Sequence, residues 1–199
     1  MSFFQTSALT LASSSPRRLE LLGKIHIAPQ KVVSPEIDEK RLKKEGPEAL
    51  ARRLAVQKAQ SVFEKEKENQ CFILSADTVV ACGQNILEKP QNAAQARKFL
   101  EKLSGRRHRV YGGIAVISPG GKLVSRVCET IVQFKPLCPA EIDAYLDSGE
   151  WEGKAGGYAI QGLAGSFIKH LSGSYSNVVG LSLYDTVQML NGLGFRTKG

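Results

Sequence analysis

The chain has 199 residues, 42% of them hydrophobic and 23% charged, a length that can bury roughly 70% of the unfolded surface without a disulfide or structural metal. Its 27 Lys and Arg against 19 Asp and Glu give a formal charge of +8 and a pI near 9.4, which favours an anionic partner without saying which. No run of about 18 apolar residues occurs, and Met1-Ser2-Phe3-Phe4-Gln5-Thr6 has neither a basic start nor a long apolar core, so no membrane span or export signal is expected.

In chain order, Leu9–Ala12 reads as a strand and Pro16–Lys24 as a helix. The joint between them, Ser13-Ser14-Ser15-Pro16-Arg17-Arg18, suits an anion cradle. Pro16 fits the first helical position, Ser15 can cap, and the free N–H groups at the helix start would face the same point as the Arg17 and Arg18 guanidinium forks. A capped surface helix with two solvated arginines is the plain alternative. Residues 25–34 read as irregular or strand, ending in Ser34-Pro35. The cations Lys40, Arg41, Lys43 and Lys44 and the alternation Glu64-Lys65-Glu66-Lys67-Glu68 read as solvated helix faces.

Residues 47 to about 68 form the clearest helix, with Ala51, Leu54, Ala55, Lys58, Ala59 and Val62 at helical spacing. Residues 71–76 and 78–82 are short β-rich runs interrupted by Asp77. Gly83-Gln84-Asn85 then turns into Ile86-Leu87, and a helix follows Pro90 to about Leu103, closed by Ser104-Gly105. Residues 109–117 and 123–134 predict an antiparallel pair around Ser118-Pro119-Gly120-Gly121. A helix over 139–146, strands over 156–160 and 166–171, and a closing helix over 178–190 complete the chain. The glycines at 149, 153, 156, 157, 162, 165 and 173 admit either close approach to a ligand or tight turns. The alternation of strands and helices is α/β or α+β material, with no repeat or low-complexity linker.

The chemistry gathers around carboxylates and lysines. Asp77 interrupts an apolar double run, a costly place for a charge unless it binds a cation, accepts hydrogen bonds or moves a proton; a turn Asp capping a strand is the alternative. Lys58, on an alanine-rich helix face, and Lys89, in Glu88-Lys89-Pro90, read either as surface lysines or as members of a cleft with Glu36, Asp38, Glu39 and Asp77. Nucleoside triphosphate hydrolysis needs such a set: cations for the polyphosphate, carboxylates for a divalent metal, and one carboxylate for the proton of water. His26, His108 and His170 lack metal-ligand spacing, and no Gly-x-Ser-x-Gly elbow, Walker or dinucleotide fingerprint occurs. The four cysteines, Cys71, Cys82, Cys128 and Cys138, lie beside apolar residues without C-x-x-C spacing and read as reduced core thiols.

Six segments resemble the Maf family in order and spacing. They are residues 11–18, Ser75-Ala76-Asp77-Thr78-Val79-Val80, Glu88-Lys89-Pro90, Leu103-Ser104-Gly105 with His108 and Val110, the stretch 154–162, and the stretch 173–181. The resemblance spans nearly the whole chain and implies one domain over 1–199. The implied fold is α/β, a mixed twisted sheet with flanking helices and two lobes around a central cleft, similar to the inosine triphosphatases. It implies a cytoplasmic nucleoside triphosphate pyrophosphatase that uses a divalent metal, Mg2+ or Mn2+, with a nucleoside triphosphate as partner, no membrane, and a homodimer as a frequent assembly. Lys154-Ala155-Gly156-Gly157-Tyr158-Ala159-Ile160-Gln161-Gly162 looks like the branch acting on dTTP and UTP.

Carried over by position, Asp77 matches the catalytic proton acceptor, and Arg17, Thr78 and Gln161 match positions that set substrate preference. Glu39, Lys58 and Lys89 match cleft residues in metal or phosphate contact. Glu39 and Asp77 would hold the metal, and Ser13, Arg17, Arg18, Lys58 and Lys89 the phosphates. The chain departs from the branch at Gly153, where Asp is usual, at Gly112, where Thr is frequent, and at Ser182, where Pro is frequent. The family's link to arrest of cell division makes a regulatory or nucleic-acid-binding protein the alternative, although no basic region interleaved with aromatics supports it.

Overall fold

The computed structural model describes residues 4–5, 7–66 and 70–198. In chain order it runs β1 (Phe4–Gln5), β2 (Leu9–Ala12), α1 (Pro16–Lys24), β3 (Lys31–Val33), α2 (Pro47–Lys65), β4 (Phe72–Cys82), β5 (Asn85–Leu87) and α3 (Ala93–Leu103). It continues through β6 (Arg107–Ile117), β7 (Leu123–Phe134), α4 (Pro139–Asp147), 3-10 turns at Ala155–Gly157 and Leu163–Phe167, β8 (Ile168–Ser172), α5 (Tyr175–Val179), α6 (Leu183–Gly192) and β9 (Thr197–Lys198). The strand order β3-β2-β4-β6-β7-β8, with β5 also on β4, makes a seven-stranded mixed sheet among the described residues. β2 runs parallel to β3 and β4, and the other pairings are antiparallel.

Alternation along β4 sends successive side chains to opposite faces. Phe72, Leu74 and Ala76 join Leu9, Leu11, Leu22, Ile114, Leu181 and Leu190 under α1 and α6. Ile73 faces the other way, onto Ala55, Ala59 and Val62 of α2. Farther along the same strands, Val80, Cys82, Val110, Val132 and Phe134 build a second cluster with Leu100, Ile142, Tyr145, Tyr158 and Phe167. The two clusters are two lobes that share β4 and β6, and they meet at residues 76–79.

Several elements differ from the sequence reading. The apolar runs on either side of Asp77 are one strand, because Asp77 stays in the ladder opposite Gly113. The strand expected over 156–160 is a 3-10 turn and loop, since Gly156 and Gly157 take φ of 75° and 71°. The helix expected over 178–190 is two, broken at Gly180 (φ 147°) and restarted by Ser182, whose hydroxyl accepts from the Asp185 N–H. Residues 40–44 are exposed but irregular rather than helical. α2 ends at Lys65; Glu66 is buried against Lys31 at 2.5 Å instead of solvated, and Lys67 and Glu68 lie outside the described residues, as do Met1, Ser2, Phe3 and Thr6. Of the thiols read as core, Cys71 and Cys82 are buried, whereas Cys128 is half-buried and Cys138 is exposed at the start of α4. Among the described residues no helix is long and apolar enough to cross a membrane.

His108 lies deep in the second lobe, with Nε2 2.8 Å from the Tyr158 hydroxyl and its ring edge-on to Phe134. Burial pulls its pKa down from 6.5 to about 4. Between those values the unfolded chain binds a proton that the folded chain refuses, so this contribution is complete above about pH 6.5 and is lost as pH falls towards 4. The shift corresponds to at most about 3.5 kcal/mol. Replacing His108 by Gln, which cannot titrate, should flatten the fall in urea-unfolding free energy between about pH 7 and about pH 4.5. An unaltered slope would place the acid sensitivity in other groups.

Candidate active site

The site begins with a gap in the sheet. β2 pairs with β4 as far as Ser75, and β5 takes up the same edge at Val80. β6 pairs along the opposite edge from Ile73 to Ala81. Among the described residues, the stretch 76–79 of β4 therefore has no strand on one side. The chain leaves β2 at Ala12 towards this gap and starts α1 there, which places a helix N-terminus beyond the carboxyl end of a parallel strand, a recurrent position for ligands in α/β sheets. A cleft of about 350 Å³ opens at the gap. Its walls include every residue that the family resemblance assigns to the site: Ser13, Arg17, Arg18, Glu39, Lys58, Asp77, Thr78, Lys89 and Gln161.

Asp77 is 8% exposed and hydrogen-bonds through Oδ1 to Lys58 Nζ at 2.6 Å. The same ammonium meets Glu39 Oε1 at 2.7 Å. Among the described residues no donor reaches Asp77 Oδ2. Burial pushes the Glu39 carboxyl up, but its hydrogen bond to Lys58 and the charges of Lys58, Lys89 and Arg18 outweigh that and hold it below the usual carboxylate range. Of the other acids considered, Asp38 lines a neighbouring pocket that shares Asp77 and Lys89, while Glu36 is exposed and pairs with Lys65.

Lys58 reaches Asp77 because α2 rides directly on the sheet. Asp77 and Thr78 face Gly113 and Gly112 across the ladder. A Cβ at Gly113 would sit 2.0 Å from the Ala51 carbonyl oxygen, and one at Gly112 would sit 1.8 Å from Asn177 Oδ1. The glycine pair thus admits α2 on one face and α5 on the other, immediately beside the site. Asn177 is fully buried, and its Nδ2 lies 3.0–3.2 Å from the Val110 and Cys128 carbonyl oxygens and Thr130 Oγ1.

The two arginines do different things. Arg18 is buried; its Nε donates to the Gly180 carbonyl at 2.9 Å, its Nη1 to Ser13 Oγ at 2.9 Å and its Nη2 to Thr78 Oγ1 at 3.3 Å. It ties the start of α1 to β4 and to the break before α6. Arg17 is half-buried; burial lowers its pKa, with Glu20 opposing. The expected cap also differs. Ser15 makes no side-chain cap, and its N–H instead donates to Ser13 Oγ at 3.2 Å. Lys154, which belongs to the 154–162 stretch but not to the site residues the resemblance implies, lines the same wall, where burial and the nearby Arg17 charge lower its pKa. Its position depends on the loop folding back against β4, which the periodicity of the segment does not reveal.

Residues 8–193 match the Maf-like protein family, and the chain belongs to it. It is 53% identical over 192 residues to the dTTP/UTP pyrophosphatase of Mesorhizobium japonicum, covering 94% of this chain and 92% of that protein. With the dTTP/UTP pyrophosphatase of Paramagnetospirillum magneticum it shares 54% over 189 residues, covering 95% and 98%. A crystal structure of a nucleoside-triphosphatase / dITP/XTP pyrophosphatase from Mycobacterium abscessus aligns with 64% of this chain and 72% of that one at 19% identity and a TM-score of 0.41.

The geometry separates the arginines experimentally. Arg18→Lys keeps a charge but cannot satisfy three acceptors in one plane, and should lower unfolding free energy by on the order of 2 kcal/mol along with activity. Arg17→Lys should leave stability within about 0.5 kcal/mol of wild type. Urea unfolding of both variants checks this, and equal stability losses would remove the distinction.

Proposed function

We propose that this cleft hydrolyses nucleoside triphosphates to the monophosphate and pyrophosphate, with dTTP and UTP preferred. The observation that carries the reading is the Lys58 ammonium held between Asp77 and Glu39 at the floor of a cleft walled by Arg17, Lys89 and Lys154. Asp77 offers Oδ2 as acceptor for the proton of an attacking water, while Lys58 holds the carboxylate in place. Arg17, Lys89 and Lys154 meet the phosphates, and the forked guanidinium of Arg17 can engage two oxygens at once. Close relatives that carry the name dTTP/UTP pyrophosphatase support the substrate class.

A divalent cation fits this donor set only with ligands from the substrate. Glu39 and Asp77 already converge on one positive charge and both supply hard oxygen ligands, whereas no group of three or more His, Cys, Asp or Glu among the described residues is placed to hold a metal ion without them. Two protein carboxylates completed by substrate phosphate oxygens is a habitual arrangement for Mg2+. Such an ion would neutralise charge developing on the phosphates. A cytoplasmic setting suits the four thiols, all free among the described residues.

Base selection falls to Thr78 and Gln161. Thr78 Oγ1 accepts from Arg18, which leaves its own proton for a base carbonyl. Gln161 is exposed at the cleft wall and offers a donor and an acceptor, the pair needed for the O4 and N3–H edge of uracil or thymine.

Pyrophosphate release from a panel of canonical triphosphates tests the reading. Asp77→Asn should lower turnover on the order of a hundredfold or more with the fold intact by circular dichroism. Near wild-type release by that variant would sink the assignment of Asp77. Gln161→Ala should erode the preference for UTP over CTP by roughly five- to 150-fold, the equivalent of about 1–3 kcal/mol for a base contact left unpaired. Equal rates of wild type on CTP and UTP would remove the pyrimidine selectivity and leave the hydrolysis standing.

A further inference from the structure

Gln161 is held from outside the cleft. The turn that presents it closes through the Gly162 N–H on the Ala159 carbonyl at 3.1 Å. The backbone N–H two residues before Gln161 and the one two residues after it both donate to side chains of a single neighbouring segment. Ala159 N–H donates to the Tyr145 hydroxyl at 3.1 Å, and Leu163 N–H donates to Glu150 Oε2 at 2.9 Å. Tyr145 is on α4 and Glu150 is in the turn that follows it.

That segment is itself tied down. Tyr145 is 1% exposed and packs edge-on against Phe167 with ring centroids 5.5 Å apart. The Ser148 hydroxyl donates to the Tyr145 carbonyl at 2.6 Å and accepts from the Glu150 N–H at 3.3 Å. The Trp151 indole donates to the Leu146 carbonyl at 3.1 Å. The carboxylate needs a bare backbone beside it, since a Cβ at Gly162 would sit 2.0 Å from Glu150 Oε2.

We propose that Tyr145 and Glu150 are positioning residues for Gln161, which clamp the backbone on both sides of it and so set how sharply the cleft reads the base. The inference rests on the reading of Gln161 as the base-contacting residue. A side chain on an exposed turn has its amide direction fixed only as well as the turn is fixed, and base selection by paired hydrogen bonds is sensitive to small displacements. Neither Tyr145 nor Glu150 lines the cleft; the Glu150 charge does act on Lys154 in its wall, and Glu150→Gln removes that charge while keeping an acceptor for the Leu163 N–H.

The test measures kcat and KM for UTP and CTP in Tyr145→Phe, Glu150→Ala, Glu150→Gln and Gly162→Ala, each alone and combined with Gln161→Ala, with thermal unfolding run alongside. Tyr145→Phe and Glu150→Ala should raise KM for UTP roughly five- to tenfold with kcat within about twofold, and should narrow the ratio of UTP to CTP specificity. Glu150→Gln should retain selectivity, because its amide oxygen still accepts from Leu163. Gly162→Ala should behave as Glu150→Ala does. In the Gln161→Ala background, removing Tyr145 Oη or the Glu150 carboxylate should produce no further loss of selectivity.

Selectivity that stays at the wild-type value while melting temperature falls would overturn the proposal and leave Tyr145 and Glu150 with a purely structural role. Losses that add fully to that of Gln161→Ala would overturn it as well. An active enzyme whose selectivity ignores Gln161→Ala removes the clamp proposal but not the hydrolytic reading; a wild type that releases no pyrophosphate from any triphosphate removes both.

Discussion

A carboxylate in the middle of a central strand has to be given a cation, and the surroundings of Asp77 follow from that. A buried charge left unpaired costs several kcal/mol, whereas a buried pair with good geometry roughly offsets its own desolvation. Lys58 supplies the charge, and it can do so only if α2 lies close to the sheet. Ala51, Ala55 and Ala59 keep the helix face low, Gly113 removes the Cβ that would strike the Ala51 carbonyl, and the Ser75 hydroxyl donates to the Ala55 carbonyl at 2.5 Å. The small-residue face of α2 therefore packs the lobe and delivers the ammonium at once.

The site was legible where a residue broke a local rule. Asp77 interrupts an apolar run, Lys58 sits among alanines, and Ser-Pro-Arg-Arg starts a helix after a strand. Each departs from what burial or solvation alone would select. The fold was legible in the long periodic segments, α2, α3, β6 and β7. Illegible was whatever depends on contacts distant in sequence. Nothing local says that Gly112 and Gly113 face Thr78 and Asp77, or that a charged residue leaves the strand unbroken. Periodicity likewise cannot tell a strand over 156–160 from a loop whose two glycines take positive φ.

Adjacent arginines show the same limit in a sharper form. Arg17 and Arg18 are alike in sequence, but α1 turns one towards the cleft and the other under it, where Ser13, Thr78 and the Gly180 carbonyl take its donors. Lys58 is likewise committed to Asp77 and Glu39. Lys89 and Arg17 form no ion pair among the described residues, and Lys154 donates to the Glu152 carbonyl rather than to a carboxylate. The fixed cations hold the site together, and the uncommitted ones leave it electropositive. Mutual repulsion between Arg17 and Lys154 is relieved when a polyphosphate arrives, so the gain grows with the number of negative charges on the ligand.

The two lobes differ from hinged halves because β4 and β6 stay paired from Ile73 to Ala81 straight through the junction. A hydrogen-bonded ladder across the floor fixes Asp77 and Thr78 relative to each other before any ligand binds, and a group held in place beforehand need not reorganise during the reaction. Glu39 is the contrasting case. It lies on an exposed irregular segment outside the ladder, which is held to α2 by the half-buried, two-pronged pair of Arg53 with Glu45 at 2.7 Å and by the exposed pair of Lys65 with Glu36 at 2.9 Å, the latter contributing little. The rigid carboxylate is the one suited to take a proton at a defined point. The one outside the ladder, on an exposed segment without regular structure, is suited to follow a cation whose position depends on the phosphates that come with it.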